Sequence, residues 1–345
     1  MGVRGLASGV RRTGWNATGM SLMPASTERA VGLLLGVVLD ALLGDPRRGH
    51  PVAAFGRVAS GLERALYADS RARGVGYAGV LVAGAAGLGL VERLPGARVP
   101  ATALATWAVL GGTSLGREGL EMARLLEADD LEGARGRLSH LCARDPEGLD
   151  AKALARATVE SVAENTSDAA IAPLLWGAVG GVPGLLAYRA INTLDAMVGY
   201  RNPRYERFGW ASARLDDLAN WVPARVTGLL TVACAERRGE AWRVLKRDGG
   251  AHPSPNAGRC EAAFAGALGV RLGGANAYGG RLERRPEMGD GRVPEVSDIR
   301  RAVRLSAVVT AAAGVLAAGV ASGVARRLAA GVAGRGASRA ARGVG

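Results

Sequence analysis

ESVAENTSDAAIAPLLWGAVGGVPGLLAYRAINTLDAMVGYRNPRY, residues 160–205, decides how this chain folds. Carboxylates stand at Glu160, Glu164 and Asp168, an uncharged stretch fills 169–188, and polar groups resume at Tyr188, Arg189, Asn192 and Asp195. Twenty residues of straight helix rise about 30 Å, the hydrocarbon thickness of a bilayer. A straight crossing would leave the two polar sets on opposite faces of the membrane. Pro173, Gly177, Gly180, Gly181, Pro183 and Gly184 argue against it, since proline removes a helical hydrogen bond and glycine weakens a helix. The stretch predicts a re-entrant or broken helix at 169–188 that returns Arg189–Asn220 to the side of Glu160–Asp168. Broken helices are tolerated at membrane depth where they line a protein-enclosed cavity.

Composition supports a membrane setting. Of 345 residues 48% are apolar and only 4% aromatic, and 74–91, 99–116 and 305–325 are further windows without charge. Each is long enough to cross a bilayer as a helix. Shorter apolar pieces at 30–44 and 226–235 read as half-spans or buried helices. The fold expected is all-α: a polytopic integral membrane protein with broken helices and polar cytoplasmic loops. One domain is expected over 30–330, after a disordered extension at 1–29 and before a disordered Gly/Ala/Arg tail at 331–345. The net charge of +13 is carried almost wholly by arginine, Lys152 and Lys246 being the only lysines. These arginines lie in the connections between apolar runs without aromatic interleaving. That pattern follows the positive-inside rule and excludes nucleic acid as the partner. The connections 45–73 and 117–156 are then cytoplasmic, and the short 92–98 turn lies outside.

Several motifs carry nothing. Gly74, Gly76 and Gly79 match G-x-G-x-x-G but have no strand before them. The histidines His50, His140 and His252 lack zinc-ligand spacing. Cys142, Cys234 and Cys260 form neither a C-x-x-C pair nor a disulfide framework.

The carboxylates are more informative. Glu160, Glu164 and Asp168 recur at i, i+4 and i+8, which aligns like charges on one helical face unless a cation or an arginine sits there. Tyr188, Asn192 and Asp195 share a second face, and Asp216 with Asn220 repeats the spacing beside Asp217. Arg189, Arg201, Arg204, Arg214 and Arg225 accompany them, and an arginine fork matches phosphate oxygens. The combination suggests Mg²⁺ with a nucleotide or another phosphorylated ligand, with Glu164, Asp168, Asp216 and Asp217 as candidate metal ligands. Gly199–Tyr205 reads as a rigid turn around Asn202 and Pro203. Asp40 within an apolar run, Asp45 and His50 after it, and His252 and Asn256 in a Pro-rich loop complete the polar set.

Together LD-x-x-x-GDP-x-x-x-HPV (39–52), ESVAENTSDAAIAPLLW (160–176), YRAINTLDAMVGYRNPRY (188–205), FGW-x-SARLDD-x-AN-x-x-PAR-x-TG (208–228), and H-x-SPNAG with EAAFAGALGV (252–270) resemble the CobD/CbiB family of cobalamin biosynthesis, the adenosylcobinamide-phosphate synthases. The resemblance covers about residues 30–325. It implies an ATP- and Mg²⁺-dependent ligase that joins (R)-1-aminopropan-2-ol, or its O-phosphate, to a propionate carboxylate of adenosylcobyric acid. It also implies a multi-pass enzyme of the cell membrane with its site facing the cytoplasm, the bilayer as surroundings and other late-pathway membrane enzymes as candidate partners. A carboxylate is a poor acyl donor, so ATP would convert it to an acyl phosphate for the amine to attack. Glu160, Glu164, Asp168, Asp195, Asp216 and Asp217 are then the candidates for metal and base roles. The five arginines would hold phosphate, and Asn165, Asn192, Asn220, His252 and Asn256 would orient substrate. Asn202, Asp45 and His50 belong to the same binding set. Two other readings stay open: an aspartate-rich membrane prenyltransferase, with Asn192, Asp195, Asp216, Asp217 and Asn220 as its Mg-diphosphate motifs, and a transporter or scaffold whose buried acids line a path.

Overall fold

A computed structural model describes residues 23–45, 49–278 and 281–342, with side chains left undescribed at 276–283 and beyond 323. Residues 1–22 of the expected extension, Pro46, Arg47 and Arg48 of the 45–73 connection, and the last three residues of the tail lie outside the described residues. Along the chain come α1 (Ala25–Leu43), α2 (Pro51–Leu66), α3 (Arg71–Leu88), a 3-10 turn at Gly89–Arg93, α4 (Arg98–Val109), α5 (Gly112–Glu127) and α6 (Leu131–Leu138). Then follow α7 (Ala151–Thr166), a π-turn at Ser167–Ile171, α8 (Ala172–Val198), α9 (Trp210–Ala219), α10 (Trp221–Cys234), α11 (Arg238–Asp248) and α12 (Ala257–Leu268). A hairpin of β1 (Leu272–Tyr278) and β2 (Arg281–Met288) precedes α13 (Val296–Arg342). Local chemistry sets the starts. Asp130 and Asp150 accept hydrogen bonds from the amides of Gly133 and Ala153 at 2.8 Å, and His50 Nδ1 accepts from Val52 ahead of α2.

The described residues are mostly helical, as expected, and this two-stranded hairpin is the exception among them. Its strands carry Gly273 and Gly274 at positive φ and a run of arginines, and show none of the apolar alternation by which a strand is recognised. The window 99–116 is also not one helix. α4 stops at Val109, Leu110 is extended, and α5 starts afresh because Asp40 accepts from both the amide and the hydroxyl of Thr113 at 3.1 Å. The buried acid of α1 is therefore the cap of α5.

Three helical stretches are long and apolar enough to cross a membrane: Arg71–Arg93, Ala151–Val198 and Val296–Gly323. Their outward faces fit that setting. Leu34, Leu35, Val38 and Leu42 on α1, Val80 and Leu88 on α3, and Val308 and Val315 on α13 are exposed, a liability in water and matched to lipid. Inward, Gly32 and Gly36 of α1 meet α4 so closely that a Cβ on either would fall within about 2.5 Å of Thr102 or Thr106. Leu33, Leu174, Leu185 and Val309 fill the core between α1, α8 and α13, and Met122, Leu154, Val162 and Phe264 fill a second one between α5, α7 and α12.

Ala151–Val198 is not one straight helix. Tyr188 Oη lies 3.2 Å from the backbone carbonyl of Asp168, positions that a straight helix would hold about 30 Å apart. The chain doubles back at Gly181, whose φ of 66° and ψ of −155° break α8 into two arms, with Pro183 just beyond. The break is stitched from outside. Glu92 accepts from the Val182 amide at 2.9 Å and caps the second arm, while Arg29 approaches the carbonyls of Ala178 and Val179 at the end of the first. Arg29 and Glu92 face each other at 3.6 Å. A broken helix was expected at 169–188, and the break is there.

Candidate active site

The fold-back brings the two polar sets together. The π-turn that carries Asp168 interrupts regular winding between α7 and α8, a feature often found at functional positions. A hydrogen-bonded chain runs from it through the second arm into α9. Arg189 donates to Asn192 Oδ1 at 3.4 Å, and Asn192 donates to Asp216 Oδ1 at 3.4 Å. Asn220 donates to Asp216 Oδ2 at 3.0 Å and offers its own Oδ1 to the Tyr188 hydroxyl at 2.8 Å. Both oxygens of Asp216 thus receive amide donors. Burial nevertheless holds its carboxyl above the usual range, those two hydrogen bonds oppose the shift, and the charge of Asp217 adds to it.

Two cavities share Asp168 as a common wall. The smaller, about 40 Å³, is lined by Glu164, Ser167, Asp168, Asp216, Asn256 and Cys260 among others. The larger, about 270 Å³, has Asp45, Glu118, Asn165, Asp168, Arg189 and Asn192 on its wall. A groove of about 350 Å³ between α10, α12 and α13 is lined by Leu268, Leu305, Val308, Arg301 and Arg304 and includes none of these carboxylates. Among the described residues no three His, Cys, Asp or Glu side chains converge to hold a metal ion. The expected ligand set Glu164, Asp168, Asp216 and Asp217 is gathered around one cavity without forming a closed cage. One or two of them are enough for Mg²⁺, which keeps waters and takes one or two carboxylates together with substrate phosphate.

Other expected residues fall elsewhere. Glu160 is buried with Arg144 at 2.5 Å and accepts from the Gly273 amide at 2.7 Å, so it ties α7 to the β-hairpin and leaves the alignment with Glu164 and Asp168. Asp195 lies a turn beyond Asn192 and lines neither cavity. Asn202 uses its side chain on the amides of Arg204 and Tyr205, closing the expected turn. Arg204 pairs with Glu63 at 3.0 Å and stacks over Tyr67. Arg214 approaches Asp217 at 3.4 Å, Arg225 donates to the Trp221 carbonyl and lies over its ring, and Arg201 is exposed. Of the five arginines only Arg189 lines a cavity with the acids. His50 caps α2 and faces Asp45 at 3.7 Å. Asn165 donates to the Ser161 carbonyl at 2.9 Å beside the larger cavity.

Three participants were not anticipated. Glu261 of α12 is 1% exposed, and neither of its oxygens has a hydrogen-bond partner among the described residues. It stands in an alanine-rich run, and only an acid inside an apolar helix could have signalled it. His140 and Glu118, 3.4 Å apart, border the larger cavity from a connection that reads as plain charged surface.

A membrane helical protein with a doubled-back helix, and a carboxylate–amide cluster between two small cavities, is the class these features define. The chain belongs to the CobD/CbiB family: a family profile described as CobD/Cbib protein matches residues 33–306. Curated relatives named cobalamin biosynthesis protein CobD include that of Mycobacterium tuberculosis, 59% identical over 84% of this chain and 95% of the relative. Those of Geobacter metallireducens, at 48% over 81% and 92%, and Rhodobacter capsulatus, at 41% over 80% and 92%, are similar along the same region. No solved structure matches.

Proposed function

We propose that this chain is the adenosylcobinamide-phosphate synthase of its host, an ATP-dependent ligase forming an amide between adenosylcobyric acid and (R)-1-aminopropan-2-ol or its O-phosphate. The coarse role, a biosynthetic enzyme of the cobalamin pathway, accompanies membership of the family whose relatives carry that name. One observation supports the finer reading above the others: Asp168 is a wall common to an acidic cavity and to a larger one carrying Arg189. An amide-forming ligase needs such neighbours, one suited to a cation and one able to offset phosphate charge.

In this reading the propionate oxygen of the corrinoid attacks the γ-phosphorus of ATP, and ADP leaves. The acyl phosphate so formed has a good leaving group. The neutral amine attacks its carbonyl carbon, the C–O bond to phosphate breaks, and inorganic phosphate departs with that electron pair. Arg189 would face the phosphoryl oxygens with its fork. Asn192 and Asn220 hold Asp216 in place by donating to both of its oxygens, and a carboxylate of the cluster would accept the proton that the ammonium loses. Asp168, on the wall of the larger cavity beside Arg189, would hold the Mg²⁺ that comes with the nucleotide, and the ion would supply charge neutralisation at the transferred phosphate. The prenyltransferase reading is less well supported by the geometry, because Asp195 of its first motif lines neither cavity.

Purified protein incubated with adenosylcobyric acid, Mg-ATP and either amine should yield a corrinoid heavier by the amine less one water, with one ADP released per amide. No mass change with either amine, from protein that remains monodisperse, would sink the assignment.

A further inference from the structure

We propose that the cavity of about 40 Å³ beside Asp168 is a subsite for a primary ammonium group, with Glu261 as the buried counter-charge that selects a cation over a neutral molecule of the same shape. The identity of the ammonium ligand rests on the amidation reading above; the subsite itself rests on the wall. Asn256 is only 8% exposed, and its Nδ2 donates to the Asp217 carbonyl at 2.8 Å. The other end, Oδ1, is buried on the cavity wall and has no partner among the described residues. The thiol of Cys260 is directed to the Ala224 carbonyl at 3.9 Å. Glu164, Asp168 and Asp216 add carboxylates, so the wall mainly accepts hydrogen bonds. An alkylammonium head offers three donors and no acceptor. A space of this size admits a water-sized head such as an ammonium and is too small for an ion with its full hydration shell.

Glu261 extends this wall inward. It follows Ala257, which lines the cavity, by four residues and so lies on the same face of α12 one turn on. Burial pushes its carboxyl well above the usual range, and the charges of Glu160 and Glu164 push in the same direction, against Arg285 and Arg144. His252 does not offset that, being held down to about 4 chiefly by its own burial, with Arg285 adding to the effect. The ring is therefore neutral near pH 7. Its Nδ1 accepts from the Ser254 amide at 3.0 Å, which leaves the proton on Nε2, 3.8 Å from Glu261 Oε1. That contact is neither an ion pair nor a full hydrogen bond. A cation in the adjoining cavity would draw Glu261 into its charged form by offsetting the burial and the charges of Glu160 and Glu164 that oppose it, and a neutral ligand would not. Ammonium also fits the spacing better than a bare divalent ion. It meets its acceptors at about 2.9 Å, whereas Mg²⁺ demands about 2.1 Å and no three acids converge here among the described residues.

Calorimetric titration of the full chain in detergent separates the cases, with (R)-1-aminopropan-2-ol as probe and propane-1,2-diol as its neutral counterpart. The amine should bind and the diol should not. Glu261→Gln should weaken the amine about tenfold or more, and Asn256→Ala by a similar factor, the worth of one charge-assisted hydrogen bond, while Mg-ATP binds both variants as it binds the parent. Equal binding of amine and diol, amine affinity unchanged in both variants, or one-for-one displacement of the amine by Mg²⁺ alone would overturn the subsite. Amine binding of the expected pattern in protein that makes no corrinoid amide would support the subsite and overturn the amidation reading instead.

Discussion

Asp168→Asn is expected to reduce corrinoid amidation by about a thousandfold while the protein stays folded in the membrane, the scale of a positioned charge acting on a phosphoryl or proton transfer. Asp168 is the residue common to both cavities, so its charge serves the cation side and the phosphate side together. Asparagine keeps the volume and leaves intact the backbone carbonyl that Tyr188 approaches. The acids around Asp168 oppose its charge while Arg189 favours it, so an isosteric amide should change stability little. The measurement is turnover at matched expression, with monodispersity in detergent as the folding control. Turnover within a few fold of the parent would show that the shared wall is structural.

Gly181→Val is expected to destabilise the doubled-back α8 strongly. Its φ and ψ lie in a region essentially reserved for glycine, where another residue costs about 1–3 kcal/mol in backbone strain alone. A Cβ there would also sit 2.5 Å from Glu92 Oε1 and 2.8 Å from Arg29 Nη2, the two groups that stitch the break. The thermal midpoint in detergent should fall by about 5–10 °C, taking about 2–4 °C per kcal/mol for a chain of this size. Gly180→Ala, next to it and with open space around its Cβ position, is the control and should change little. Equal midpoints for the two variants would contradict the fold-back.

How much of this was legible in the chain follows from range. The break at 169–188 was readable because its cause is local: prolines and glycines crowd a segment too long and too apolar to be a loop. The cluster of Asp168, Asn192, Asp216 and Asn220 was readable because helical spacing puts each pair on one face. Partners chosen across the fold were not. Glu160 shares the spacing of Glu164 and Asp168, yet Arg144, sixteen residues earlier in a charged connection, takes it out of the site. Arg204 resembles a phosphate ligand until the fold supplies Glu63. The split of 99–116 depended on Asp40 of α1 reaching the first turn of α5. The β-hairpin pairs glycine and arginine through backbone hydrogen bonds, which need no apolar pattern.

The central claim is that the fold-back at Gly181 places Glu164–Asp168 and Arg189–Asn220 on one side of the membrane. The geometry favours it: Pro95 lies in the turn that follows Glu92 at the fold-back of α8, whereas Asp168 and Asp216 lie at the open end of its two arms. Labelling of single cysteines with an impermeant thiol reagent tests it most directly, in a background lacking Cys142, Cys234 and Cys260. Lys152→Cys, Glu206→Cys and Pro95→Cys all replace exposed residues. The first two should react only in inverted vesicles and the third only in intact cells; reaction of Lys152→Cys and Glu206→Cys from opposite sides would contradict a single site.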